Sequence, residues 1–164
     1  MGTSRTPSVA SARLQRLLNT CSVRGVSQLV AAGIIWRDDD PDGPRVLLLR
    51  RRPGRFLGGL EDLPGGKLEA GETLLTGLRR EISEETNLSL VEVSAFVGTF
   101  DYLRKGGLVR QFTFSVRTDS GMVVLDQGEH ESYRWLHVHD LLKADVSEET
   151  ASMLHLWLSN FQAE

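Results

Sequence analysis

The segment Gly65–Leu88, GGKLEAGETLLTGLRREISEETNL, constrains this chain more than any other. It opens with a glycine-rich turn and continues in a helical pattern from about Thr73 to Asn87. On a wheel of about 100° per residue, Leu74, Leu75, Leu78 and Ile82 form one apolar stripe. Such a stripe has to lie on a hydrophobic core. Yet Glu81 and Glu85 fall almost in line with Leu74 and Leu78, and Glu84 lies just beside them. The face that should turn inward ends in carboxylates.

That arrangement is costly. Like charges at i and i+4, as in Glu81 and Glu85, destabilise an isolated helix by roughly 0.2–0.5 kcal/mol. Exposed acids in a last turn oppose the helix dipole by about 0.3–1 kcal/mol each. Gly77 adds about 1 kcal/mol relative to Ala in a helix interior, which predicts a close backbone approach there. Two readings stand. One is a solvated acidic patch paired with Arg79 and Arg80. Arg80 can reach Glu84 at i+4, but it precedes the acid, which is the weaker order, and one guanidinium does not neutralise three carboxylates. The other is a hard divalent cation. Oxygen ligands at i, i+3 and i+4 converge on one point, and Mg²⁺ or Mn²⁺ accepts carboxylates together with water and phosphate oxygens. The preceding turn fits the second reading. Glycine lets backbone come close to a ligand, and Lys67 offers a point charge suited to phosphate.

The remaining segments predict a mixed sheet with helices packed on it, an α/β fold. Ser27–Trp36 and Arg45–Arg51 read as strands, joined by turn chemistry over Asp38–Pro44. The acids of that turn lack the spacing of a calcium loop. Glu61–Lys67 reads as a short strand running into the Gly-rich loop. VEVSAFVGTFDYL and RQFTFSVRT read as two strands around RKGG. Phe112, Phe114 and Val116 alternate with polar residues, the period-two pattern of a half-buried strand. MVVL and YRWLHV read as further strands. Ser147 is a good N-cap for a last helix carrying Met153, Leu154, Trp157, Leu158 and Phe161.

Composition enters where partners are concerned. A chain of 164 residues with 40% hydrophobic and 25% charged residues suits one soluble domain. The formal net charge of −3 gives no electrostatic footprint for a nucleic-acid polymer. No apolar run approaches a membrane span. The single Cys21 excludes an internal disulfide and fits a reducing, cytoplasmic setting. Residues 1–26 form an N-terminal extension, read as a mobile tail plus a short amphipathic helix with Leu14, Leu17 and Leu18 on one side. Its Arg- and Ser-containing, acid-free composition also leaves an organelle-targeting segment open, and MGTSRT fits the loose myristoylation pattern.

Gly66, Glu72, Arg80-Glu81, Ile82, Glu84-Glu85 and Leu88 stand at the spacing G-x5-E-x7-R-E-U-x-E-E-x-G-U, with U a bulky aliphatic. This resembles the signature box of the Nudix hydrolases. Every specified position matches except Asn87, where the family has Gly. That Gly ends the helix in a left-handed conformation, for which Asn is the best substitute. The resemblance implies a Nudix-type α/β/α sandwich over residues 27–161. It implies attack of water, dependent on Mg²⁺ or Mn²⁺, on a nucleoside diphosphate linked to another group. By the same resemblance Glu81, Glu84, Glu85 and the carbonyl of Gly65 are metal ligands, and Glu72 and Arg80 support and orient them. MutT-like members carry a further Glu six residues before a Trp. Glu129 has that spacing to Trp135 and is the candidate for an extra ligand or base, with Glu131 as fallback.

Outside the box, Lys67, Arg50 and Arg52 are the candidates for phosphate. Arg51 lies between the two arginines on a strand whose alternate residues point to opposite faces. Phe56, Tyr102 and Phe112 are candidates for stacking on a base. His130, His137 and His139 read as surface or loop residues, since no Cys/His set supports zinc. The box does not set the substrate. No Pro follows Pro64, so the downstream Pro of ADP-ribose members is missing, as is the NADH-type SQPWPFP array. LPGGKLEAGE resembles compact MutT-like enzymes. The preferred expectation is therefore a small nucleotide: a nucleoside triphosphate or modified nucleotide split into monophosphate and pyrophosphate. The alternatives are a sugar-nucleotide or dinucleotide pyrophosphatase, a Nudix-type isomerase and a non-catalytic nucleotide-binding module. An isomerase would want a Cys in the pocket, and a degenerate module would lack box glutamates.

Overall fold

The run QLVAAGIIWR is apolar on both faces, and it forms the strand around which the molecule is built. The computed structural model describes residues 9–161. The tail over residues 1–8, with its targeting and myristoylation readings, lies outside them. In chain order the elements are α1 (Val9–Leu18), β1 (Gln28–Arg37), β2 (Arg45–Arg51), β3 (Glu61–Asp62) and β4 (Gly65–Lys67). Then come α2 (Leu74–Thr86), β5 (Leu90–Arg104), β6 (Gly107–Thr118), β7 (His130–His137), a 3-10 turn (Val138–Lys143) and α3 (Glu148–Phe161).

The sheet runs β3-β2-β1-β6-β5, with β4 also pairing to β1 and β7 to β2. It is mixed, because β1 and β6 are parallel while the other pairs are antiparallel. One face carries α2 and α1, burying Ala31, Ile35, Leu47, Leu49, Phe114 and Val116 against Leu74, Leu78, Ile82 and Leu18. The other carries α3, where Ala32, Ile34, Val46 and Leu48 meet Leu154, Trp157 and Leu158. This is the expected α/β/α sandwich.

Several local expectations need correction. Gly65–Lys67 is not only a loop: it pairs antiparallel with β1, Ala32 opposite Gly65 and Val30 opposite Lys67. Strand β6 is not half-buried. Thr113 and Ser115 are buried along with Phe112, Phe114 and Val116, because helices cover both faces. The Ser115 hydroxyl accepts the indole N–H groups of Trp36 at 3.2 Å and Trp157 at 3.0 Å, which keeps that buried oxygen satisfied. MVVL forms no strand. Only Val123 and Leu125 turn inward, and Val124 donates its N–H to the Thr86 carbonyl at the end of α2. Met122 and Val124 are exposed.

Helix α2 has the ends its sequence implies. Thr73 caps it, its hydroxyl accepting from Thr76 N–H at 3.2 Å while Thr73 N–H donates back to the Thr76 hydroxyl at 2.8 Å. Thr20, just after α1, accepts the N–H of Leu74, so the N-terminal segment contributes to the same helix start. At Gly77 a Cβ would lie 2.9 Å from Leu68 Cδ1, so what comes close there is a side chain and not the expected backbone. Asn87 closes the helix at φ 61°, ψ 15°, donating to the Ser83 carbonyl. Asn87→Gly is therefore expected to be neutral or slightly stabilising. Asn87→Val should cost on the order of 1–2 kcal/mol, because a Cβ-branched residue resists the left-handed region. Thermal melts of the three proteins check this, and equal melting temperatures would refute the cap.

Candidate active site

The α3-side face of the sheet is not covered along its whole length. Beyond the N-terminus of α3 it opens as the floor of a cavity of about 640 Å³. Val30 and Ala32 of β1, Gly65, Gly66 and Lys67 of β4, and Gln111 of β6 line that floor. The end of α2 brings Glu81, Glu84 and Glu85 to one wall.

The three box acids sit in different surroundings. Glu85 is only 8% exposed, and its carboxylate accepts the N–H of Gly65 at 2.9 Å. Burial pushes its pKa well above the ordinary carboxylate value, with the Gly65 hydrogen bond opposing and the Glu81 charge adding to the rise. Burial also raises the pKa of Glu81, against the hydrogen bond from Arg80. Glu84 is exposed. Gly66 leaves room for Glu81: a Cβ there would lie 2.5 Å from the Glu81 carboxyl carbon.

Arg80 ties this wall together. Its guanidinium donates to Glu72 at 2.7 and 2.9 Å, to Glu81 at 2.8 Å, to Glu84 at 3.0 Å and to the Lys67 carbonyl at 2.9 Å. The Glu72 hydrogen bonds, with those to Glu81, raise the Arg80 pKa further. The bond to Arg80 in turn holds Glu72 below its ordinary value. No cationic side chain hydrogen-bonds Glu85 among the described residues. The donor set, hard carboxylates at i, i+3 and i+4 with a buried member that accepts no hydrogen bond from a cationic side chain among the described residues, fits a divalent cation such as Mg²⁺ or Mn²⁺.

Arg50, Arg51 and Arg52 diverge where β2 ends and its pairing with β7 shifts register between Arg50 and Arg51. Arg51 lines the cavity and pairs with Asp62 at 3.0 Å. Arg50 does not line it. It donates to the Gly59 carbonyl at 2.6 Å and faces Glu61 and Asp145. Arg52 does not line it either, and its Nε donates to the Gln127 carbonyl. Of the three, Arg51 alone lines the cavity, whereas Arg50 and Arg52, the expected phosphate residues, do not. Glu129 reaches the cavity and pairs with Arg55 at 3.4 Å, whereas Glu131 is exposed and outside the lining.

Phe56 and Tyr102 both line the cavity, with rings stacked at 6.0 Å between centroids, and burial raises the Tyr102 pKa. Phe112 is buried in the core instead. His130 is not a surface residue. It is 1% exposed, with neither ring nitrogen hydrogen-bonded, and burial lowers its pKa. Among the described residues, the group of ligating side chains whose atoms lie within 4.8 Å of one another is Asp40, Asp42 and His137. Asp40 there is already paired with Arg45 at 3.3 Å.

Sequence reasoning missed Arg51, Asp62, Arg55, Phe100, Arg104 and Gln111 as cavity residues. For Phe100 and Arg104 a signal existed: with Tyr102 they alternate along β5, so one face of that strand carries all three.

The sequence model of the NUDIX domain matches residues 27–157. A MutT-like protein of Streptomyces ambofaciens is 34% identical over 105 residues, covering 64% of this chain and 60% of that protein. A putative 8-oxo-dGTP diphosphatase 2 of Mycobacterium tuberculosis is 39% identical over 69 residues, 42% of this chain and 45% of that protein. The chain thus spans less than two thirds of the length of these curated relatives. Among solved structures, a MutT protein from Methanosarcina mazei Go1 superposes with a TM-score of 0.69 at 24% identity, covering 87% of this chain and all of that one, a likeness of fold. Among the described residues no helix is long and apolar enough to cross a membrane. The match over most of the chain, on a fold that places the box acids against one cavity, means that this chain belongs to the NUDIX domain family.

Proposed function

We propose that the chain is a divalent-metal-dependent pyrophosphohydrolase of nucleoside triphosphates or modified nucleotides, releasing the monophosphate and pyrophosphate. The observation that carries this is Glu85: a carboxylate 8% exposed, beside a second half-buried acid, with no cationic hydrogen-bond partner, on the wall of a cavity that Lys67 also lines. Glu81, Glu84, Glu85 and the Gly65 carbonyl would hold the cation, with Glu129 as a further ligand or base. When bound, Mg²⁺ or Mn²⁺ lowers the pKa of a water and neutralises charge developing on phosphate oxygens. Arg80, fixed by Glu72, orients Glu81 and Glu84. Lys67 meets phosphate as a point charge, and Arg51 adds a second cation facing the cavity. Glu81 or Glu129 accepts the proton of the attacking water. Phe56 and Tyr102, which line the cavity, would hold the nucleoside end. The name of the Mycobacterium tuberculosis relative supports a modified purine nucleotide as a first substrate to try.

The test is a nucleotide panel with Mg²⁺ or Mn²⁺ in ¹⁸O-water, products being identified by mass. The expected result is one label in one of the two phosphate-containing products, an unmodified protein, and loss of turnover in excess chelator. Equal turnover in chelator would remove the metal. Label on a sugar carbon or a phosphoprotein would remove attack of water at phosphorus. Turnover confined to sugar nucleotides or dinucleotides would move the substrate to those classes.

A further inference from the structure

The successive carbonyls of Gln127, Gly128 and Glu129 all accept hydrogen bonds from two arginines that follow β2. The Arg52 N–H donates to the Glu129 carbonyl at 3.0 Å, and its Nε donates to the Gln127 carbonyl. Arg55 donates from Nε and Nη2 to the Gly128 carbonyl at 3.2 and 3.0 Å. Its Nη1 faces Glu129 Oε1 at 3.4 Å. One planar guanidinium, with its donors in a fixed fork, thus grips the backbone of one residue and the carboxylate of the next.

Both halves of this clasp are closed on themselves. In residues 126–130 the Asp126 carbonyl accepts the N–H groups of Glu129 at 3.1 Å and His130 at 3.0 Å, and the Asp126 side chain accepts that of Gly128 at 2.9 Å. His130, 1% exposed, fixes the far end of the segment by pairing with Arg51. Between β2 and β3, Gly58 N–H donates to the Arg55 carbonyl at 2.8 Å and Gly59 N–H to the Arg51 carbonyl at 2.9 Å. A Cβ at Gly58 would lie 2.7 Å from the Arg52 carbonyl oxygen, so this turn is tight. Leu57 sits in it at φ 55°, a conformation that a leucine keeps only where its surroundings fix it. The box acids take no part: among the described residues no hydrogen bond or ion pair joins residues 126–130 to α2. The place of Glu129 in the cavity is therefore set from the β2–β3 turn.

We propose that Arg52 and Arg55 are positioning residues for Glu129. Arg52 fastens the backbone on either side of Gly128, and Arg55 holds Gly128 together with the Glu129 carboxylate. Arg55 lines the cavity as a phosphate-binding cation could, but its fork is turned to this segment, so it acts on turnover through Glu129. This rests on the reading of Glu129 as a ligand or base of the pyrophosphohydrolase and deepens it.

The experiment is a double-mutant cycle on nucleoside triphosphate hydrolysis in Mg²⁺, with Arg55→Leu, Glu129→Gln and the pair. Glu129→Gln is expected to lower kcat about 100-fold, the scale of a lost general base. Arg55→Leu is expected to lower kcat about tenfold, as when the support of a functional side chain is disturbed, and to leave KM unchanged. In the Glu129→Gln background Arg55→Leu should cost no further kcat, whereas a merely structural effect would repeat itself there. An equal loss in both backgrounds, or a loss carried by KM as for a phosphate contact, overturns the positioning role. Wild-type kcat in Glu129→Gln removes Glu129 from the reaction, and the positioning role with it. No turnover of any nucleotide by wild type overturns the hydrolase reading instead. Amide hydrogen exchange in the metal-free protein then decides the clasp alone. Arg52→Leu and Arg55→Leu are each expected to speed exchange at Gly128, Glu129 and His130 at least about tenfold and to leave α2 as it was. Unchanged exchange at those amides overturns the clasp.

Discussion

Glu85→Gln is expected to lower kcat at least about 100-fold, the scale of losing one electrostatic stabiliser, without loss of the fold. In metal-free buffer at neutral pH its melting temperature should equal or exceed that of wild type. Both expectations come from one feature. Glu85 is a buried carboxylate that accepts one hydrogen bond, from Gly65 N–H at 2.9 Å. The glutamine carbonyl can still accept that bond, so the contact between β4 and α2 survives. What disappears is the charge, which burial opposes. The pKa direction fixes the pH dependence. A carboxyl raised in the folded state gives stability below its unfolded pKa and loses it as pH rises through the folded pKa. The advantage of the Gln variant is therefore greatest at neutral pH and fades as pH falls toward about 4. Melting curves in chelator over that range, with kcat in Mg²⁺, measure both halves. An unfolded variant, or one with full turnover, would make Glu85 a structural residue.

Two adjacent glycines should fail in different ways. Gly65→Ala is expected to destabilise by about 2–3 kcal/mol or more, an overpacking cost, or roughly 5–10 °C for a domain of this size. Its Cβ would fall on the Ala31 carbonyl oxygen and within 2.6 Å of Ala32 Cα. Those are backbone atoms of the central strand, and they cannot step aside without breaking the β1–β4 pairing. At Gly66 the three atoms nearest the new Cβ all belong to the Glu81 carboxylate, at 2.5–2.6 Å. That is the end of a flexible side chain, so the fold gives way cheaply while Glu81 leaves its place beside Arg80. Gly66→Ala should melt within about 0.5 kcal/mol of wild type. It should lose about 10–100-fold in kcat/KM, as when the shell around a metal ligand is disturbed. Equal melting temperatures for the two variants would contradict this division. Full activity in Gly66→Ala would show that the position of Glu81 does not matter to turnover.

The sequence by itself determined what depends on neighbours along the chain. The C-terminal end of α2 was legible in Asn87, whose left-handed φ acts within one helical turn, and the Thr73–Thr76 capping box at the other end is as local. The conflict between the Leu74–Ile82 stripe and Glu81, Glu84 and Glu85 was legible because helical period alone sets the face. The spacing of the box glutamates located the candidate site for the same reason. Only the tertiary structure decided what depends on what lies across a strand. Arg50, Arg51 and Arg52 are chemically alike, and the pairing of β2 with β3 and β7 sends only the middle one to the cavity. The alternation in β6 predicted one wet face, but α2 and α3 cover both, and two tryptophan N–H groups make a buried Ser115 tolerable. The apolar run MVVL had the composition of a strand and found no partner strand to pair with. The clasp of Arg52 and Arg55 on residues 127–129 joins turns far apart in the chain. Its existence depends on cross-strand register, which no local pattern encodes.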